Sequence, residues 1–217
     1  MKTSYILTTM LMLITGVILN VSCNSNANKL PIYGERSTQE KEVDGKTIID
    51  TIYQTIPDFN FINQDSVVLT QKFFDGKIYV ANFFFTHCPS ICPTMQRNLL
   101  KAYQKYKGNE QIAFLSHSID FKYDQPHVLK DYATKLGVDS DQWQFVTGSK
   151  ADIYGITNDY LVMASEDENA PGGFDHQSYL VIIDPLKRIR GAYDGTDDKQ
   201  VEKLLNDLDV ILKEYQK

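Results

Sequence analysis

Apolar residues fall into three kinds of pattern along this chain. Residues 78–86 (IYVANFFFT) and 112–119 are nearly unbroken apolar, aromatic and β-branched runs, the look of strands buried on both faces. Residues 58–63 alternate, as a half-buried strand does. Residues 94–107 carry a helical stripe of Met95, Leu99, Ala102 and Tyr106, and residues 197–215 carry one of Val201, Leu204, Leu205, Leu208 and Leu212. Residues 126–136 read as a helix stopped by Gly137. Shorter segments fill the gaps: a strand at 144–147, a helix at 151–157, a strand at 160–164 and an acidic loop at 165–173. Strands at 178–184 and 188–193 then flank the turn Pro185-Leu186-Lys187, and Asp75-Gly76 is an earlier turn signal. Strand, helix, strand, helix, a strand pair and a closing helix make an α/β layer design with no internal repeat and no second domain.

Two stretches lie outside that pattern. Lys2 precedes an apolar segment from Ile6 to Val21, short for a membrane span and suited to a secretory signal over residues 1–22. Val21-Ser22-Cys23 resembles a bacterial lipoprotein processing site, with Cys23 as the lipidated first residue of the mature chain. Asn20 stands where that pattern has Leu. An uncleaved N-terminal anchor is the other reading, and it leaves the protein on the same side of the membrane. Residues 23–56 are polar without sustained periodicity and read as a tether, part of it packing on the domain that runs from 57 to 217.

With 217 residues there is room for one domain, an anchor and a tether. The net charge of −6 and the lack of a Lys/Arg cluster argue against nucleic acid. An exported chain changes the meaning of its three cysteines. If Cys23 carries lipid, Cys88 and Cys92 remain, and a disulfide closing so small a loop stabilises little. The pair sits where a buried strand hands over to a helix. A helical first turn would put both sulfurs on one face, with Pro89 and Pro93 tolerated at the helix start and the dipole favouring a Cys88 thiolate. Two convergent thiolates make a soft-metal site or a redox pair, a disulfide when oxidised.

A third ligand has four histidine candidates. His87 adjoins Cys88 but points elsewhere from the strand end. His117, inside a buried strand, reads as a satisfied core histidine. His127, after Pro126, reads as a capping or exposed residue. His176 lies in the loop Gly172-Gly173-Phe174-Asp175-His176-Gln177, and the residues alone leave it as readily a surface histidine as a ligand. Met95 and Met163 read as core residues rather than extra metal ligands. Arg97, the nearest arginine a peroxidase would need beside its cysteine, reads as a helix-surface residue.

In combination FTHCPSICPTM, then SID with a downstream YDQP, then DHQSYLVIIDP, over about residues 55–215, resemble the Sco/SenC family. The resemblance implies a thioredoxin-like fold, a central mixed β-sheet flanked by helices. It implies one copper, Cu(I) or Cu(II), held by Cys88, Cys92 and His176. It implies a membrane-anchored protein on the periplasmic side that helps assemble the binuclear copper centre of cytochrome c oxidase. The partner would be the copper-bearing oxidase subunit or another extracytoplasmic cuproprotein. A thiol–disulfide oxidoreductase acting on that partner's cysteines is the alternative. The chain departs from the family pattern at Phe121, where Pro is common, and at His117, where a small or apolar residue is usual. Asp120 and Asp124 match a family acidic motif, as helix caps or as functional groups.

Overall fold

The computed structural model describes residues 29–216; residues 1–22 and Cys23 lie outside them. The longest apolar run forms the central strand β5 (Ile78–Phe84), buried at every position. Its parallel neighbour β6 (Ile112–Ser118) is the second such run, and β7 (Trp143–Thr147) pairs parallel beyond it. Antiparallel strands complete both edges. β10 (Tyr179–Ile183) and β11 (Ile189–Asp194) lie on one side, β3 (Asn60–Asn63) and β4 (Val68–Thr70) on the other, giving the order β11-β10-β5-β6-β7-β3-β4.

Helices α1 (Cys92–Tyr106), α2 (Pro126–Leu136), α3 (Lys150–Thr157) and α4 (Asp198–Tyr215) flank this mixed sheet. Met95, Leu99 and Ala102 of α1 are fully buried, as are Leu204, Leu208 and Ile211 of α4. Tyr106 Oη donates to Asp209 at 2.7 Å and ties the two helices together. The Gly137 stop is seen directly: Gly137 adopts φ +68° and its N–H bonds the last turn of α2. Among the described residues no helix is long and apolar enough to cross a membrane.

Two expectations are corrected. Most of the supposed tether is ordered: β1 (Arg36–Val43) and β2 (Lys46–Tyr53) form an antiparallel hairpin around Asp44-Gly45, whose positive φ angles suit a two-residue turn. Both faces of this ribbon stand in solvent, with Lys41 opposite Ile48 and Glu40 opposite Ile49. Neither face had to be apolar, so no periodicity marked it. Before the hairpin the chain already packs on the domain, Tyr33 N–H donating to Ile189 O at 2.9 Å.

The expected strand at 160–164 begins later. Tyr160 ends a 3-10 turn, Leu161 takes φ +57°, and β8 (Ala164–Glu166) pairs antiparallel with β9 (Phe174–His176) as a small ribbon of its own. Tyr160 is fully buried with its hydroxyl 3.1 Å from Tyr79 Oη, so packing and not alternation sets its conformation.

Candidate metal centre

The site forms at the carboxyl end of β5, where the sheet hands the chain to α1. Ligand sites in open α/β sheets gather at such strand ends. The helix begins at Cys92, one turn later than a helical Cys88 would require; Cys88 sits in the preceding turn, its N–H 3.3 Å from Phe85 O. Its place near the helix start still brings Cys88 Sγ and Cys92 Sγ together. His176, at the end of β9, supplies the third group. One atom from each of the three lies within 4.8 Å of the others, and all three residues are buried. Both thiols are free.

Second contacts fix the ring of His176. Its Nδ1 lies 3.1 Å from the carbonyl oxygen of Gln177, which can only accept, so Nδ1 of the neutral ring carries the hydrogen. Nε2 therefore turns its lone pair to Cys92 Sγ at 3.2 Å. This arrangement orients and strengthens a metal-binding imidazole. Phe85 walls the other side, with its ring centroid 6.0 Å from His176 and 5.0 Å from Phe174. Gly172 permits that closeness: at φ +81°, a Cβ there would stand 2.8 Å from the Phe85 ring.

The two thiols share one easily lost proton and one tightly held. A hydrogen bond from Cys92 is the main cause that brings the Cys88 thiol down to about 3, against the opposing effect of burial. The same hydrogen bond, then burial and the Cys88 charge, push Cys92 far above the ordinary thiol range. Cys92 is therefore the thiol that holds its proton more tightly. Two sulfurs and one imidazole nitrogen are the donor set of a soft or borderline metal ion, and copper fits it.

The remaining candidates separate cleanly. His87 is exposed, 3.6 Å from Asp120 Oδ2 and edge-on to Tyr123, turned away from the thiols. His127 is exposed. His117 is fully buried and stacked on Phe83 at 4.7 Å, but it is satisfied on one side only: Nδ1 faces Asn82 O at 3.4 Å while Nε2 has no partner. Burial lowers its pKa to about 3, so it is neutral. Met95 is core, whereas Met163, just before β8, is 67% exposed. Arg97 is an exposed helix residue within 3.4 Å of Thr94 Oγ1.

Asp124 is not a helix cap: α2 starts after Gln125 with no side-chain cap. Its carboxylate instead accepts from Thr86 N–H (2.9 Å), Thr86 Oγ1 (2.5 Å) and Ser118 Oγ (2.6 Å), clamping the turn that carries Cys88 to the end of β6. Asp120 Oδ1 accepts from Lys122 and Tyr123 N–H and closes the next turn. Asp124→Ala strands the Thr86 and Ser118 donors. We expect about 1–3 kcal/mol lost in urea unfolding and about 10-fold or more lost in copper affinity, because the Cys88 turn is no longer held.

Sequence reasoning missed the supports of the site: Phe85, the Gln177 carbonyl, and a cleft of about 400 Å³ beside the thiols, which Gln96, Leu100, Tyr132 and Leu136 help to line. Their spacing held a signal, since Gln96 follows Cys92 by four residues on the same helical face. A larger cleft of about 740 Å³, lined by Lys77, Tyr103 and Asp139, opens at the other end of the sheet and holds no cysteine or histidine.

Known proteins resemble this chain in sequence and in fold. A SCO1 protein homolog of Bacillus subtilis (strain 168) is 26% identical over 171 residues, covering 76% of this chain and 86% of the relative. The crystal structure of a SCO1/SenC family lipoprotein from Bacillus anthracis superposes with a TM-score of 0.67 at 29% identity, over 73% of this chain and 95% of the other. BsSco, described as a member of the Sco family of cytochrome c oxidase assembly proteins with a disulfide switch, gives 0.62 at 25% identity over 72% and 92%. These neighbours share the thioredoxin-like fold. The SCO1/SenC family model matches residues 50–213, and the chain belongs to that family.

Proposed function

We propose that this protein is a copper-binding metallochaperone that holds one copper through Cys88, Cys92 and His176. It would deliver the metal to the binuclear centre of cytochrome c oxidase, or to another extracytoplasmic cuproprotein. The observation that carries the reading is the convergence of two sulfurs and an oriented Nε2 within 4.8 Å. The thiolates suit Cu(I), and the imidazole lets the same site hold Cu(II). Burial of all three groups keeps the cargo from water and adventitious ligands, while the cleft leaves one side of the thiols approachable. A lipid on Cys23, supported by the lipoprotein relative, would hold the domain at the outer face of the membrane where its partner sits.

The nearby pair of free thiols, Cys88 and Cys92, supports a second reading, reduction of the partner's disulfide. There the Cys88 thiolate attacks one partner sulfur, Cys92 resolves the mixed disulfide, and the partner leaves with two thiols. One pair of assays separates the readings. Cu(I)-loaded protein is mixed with the reduced copper-binding domain of an oxidase subunit, and metal-free reduced protein with the oxidised domain. Metal passing to the domain supports the chaperone. Disulfide exchange without metal transfer sinks the chaperone reading in favour of the reductase.

A further inference from the structure

Gln96 lies in α1 one turn after Cys92, 1% exposed, and neither its Oε1 nor its Nε2 has a partner. Buried amides are almost always paired, so a pair of orphaned atoms here asks for a ligand. Gln96 lines the cleft of about 400 Å³ that also touches Cys88 and Cys92, a volume within the ~300–1,000 Å³ of small-ligand sites. Apolar groups dominate the rest of the wall: Phe85, Leu100, Tyr132 and Leu136. Arg97 stands at the exposed rim.

We infer that this cleft seats a peptide segment of the copper-receiving protein: an extended stretch whose apolar side chain lies next to the thiol that takes the metal. The inference rests on the chaperone reading and names the chemistry its partner must present. A primary amide offers a donor and an acceptor side by side, which is what a backbone peptide group requires in return. Both amide atoms are closed off in the free protein, so the glutamine must swing toward the cleft by rotamer change to meet a seated peptide. Main-chain hydrogen bonding gives such a segment its register, and the apolar wall selects one side chain. With the thiols forming part of the same cleft, a seated segment holds its own thiol against Cys88 and Cys92 before the metal moves. A lipid chain would use the apolar wall and leave the amide orphaned, which is why a peptide is the occupant.

The test uses the full chain in detergent micelles and a thiol-free probe, so that neither copper nor disulfide chemistry contributes. The probe is an acetylated, amidated alanine–leucine–serine–alanine peptide, and the control carries glycine for leucine. Leucine peptide is expected to shift the Gln96 side-chain amide and the Leu100 and Leu136 methyl resonances saturably, with the glycine peptide at least about fivefold weaker. In Gln96→Leu the methyl shifts should require at least about fivefold more peptide, the size expected for two lost hydrogen bonds. Absence of these shifts at 10 mM peptide (roughly the weak limit of specific binding), or unchanged affinity in Gln96→Leu, overturns the cleft. Copper titration of the same two proteins reads separately: copper uptake without peptide shifts sinks this inference alone, and peptide shifts without copper uptake sink the copper reading while supporting the cleft.

Discussion

His176→Ala is expected to lower copper affinity by more than about 100-fold, the upper end of the cost of removing a mere outer-sphere partner, and to change the thiolate-to-Cu(II) absorption. Cys92→Ser should go further and abolish tight binding, because it removes both a sulfur and the group that His176 Nε2 faces at 3.2 Å. The sizes differ from those at Asp124 for a physical reason. Asp124 holds the turn in place, whereas these residues offer the donor atoms themselves. The pH dependence follows from the thiol pair. Loading requires both sulfurs to be deprotonated. With Cys88 brought down to about 3, its proton is already gone at neutral pH. Cys92, pushed up by its hydrogen bond to Cys88 and by burial, still holds one. Each Cu(I) taken up by the thiol pair therefore displaces one proton, and affinity should rise about tenfold per pH unit across neutrality. Competition titrations with a Cu(I) chelator at several pH values measure that slope. A flat profile would mean the pair carries no proton to lose, and wild-type affinity in His176→Ala would remove the imidazole from the site.

The legible parts of this protein are those whose patterns reflect burial on a regular element. β5 and β6 are unbroken apolar runs because both faces are covered, and the α1 and α4 stripes are the buried sides of surface helices. Cys88 and Cys92 were legible as a pair because the run and the stripe meet there. His176 was not legible from its surroundings. It is 84 residues from Cys92, and the short ribbon that presents it is set by Gly172 against Phe85 and by pairing with Ala164, none of which leaves a periodic trace. Only the combined motifs of the family pointed to it. The hairpin β1–β2 escaped for the opposite reason: its strands have no buried face, and its one local sign was the Asp44-Gly45 turn. Met163 was misplaced by the same logic, an apolar residue left exposed in the segment just before β8.

The second large effect lies far from the thiols. Arg190, 2% exposed, donates to Asp184 Oδ2 at 3.1 Å, to Glu214 Oε2 at 2.8 Å, and to the carbonyls of Leu30 (2.6 Å) and Pro31 (3.1 Å). It thus joins β11, α4 and the segment through which the chain enters the domain. Arg190→Met keeps the apolar stem but leaves Glu214 and two carbonyls without their partner. Breaking a buried ion pair from one side costs about 3–5 kcal/mol, which in a domain of this size lowers Tm by roughly 6–20 °C. Arg190→Lys should recover only part of this, since an ammonium cannot reproduce the planar fork. The acid limb gives the sign. Burial alone would raise the Asp184 pKa, but Arg188 and Tyr215 outweigh it and hold the carboxyl below its ordinary range. Its contribution is therefore complete above about pH 4 and fades as pH falls through the lowered folded value. Both wild type and Arg190→Met keep Arg188 and Tyr215, so both should lose this contribution in acid and the gap between them should persist. Limited proteolysis supplies the second readout: with its carbonyls released, the chain around Leu30 should be cut well before the domain melts. A Tm within 2 °C of wild type, with no new cleavage near Leu30, would show that Arg188 and Tyr215 satisfy Asp184 and that the segment around Leu30 is held by other contacts, such as Tyr33 on Ile189.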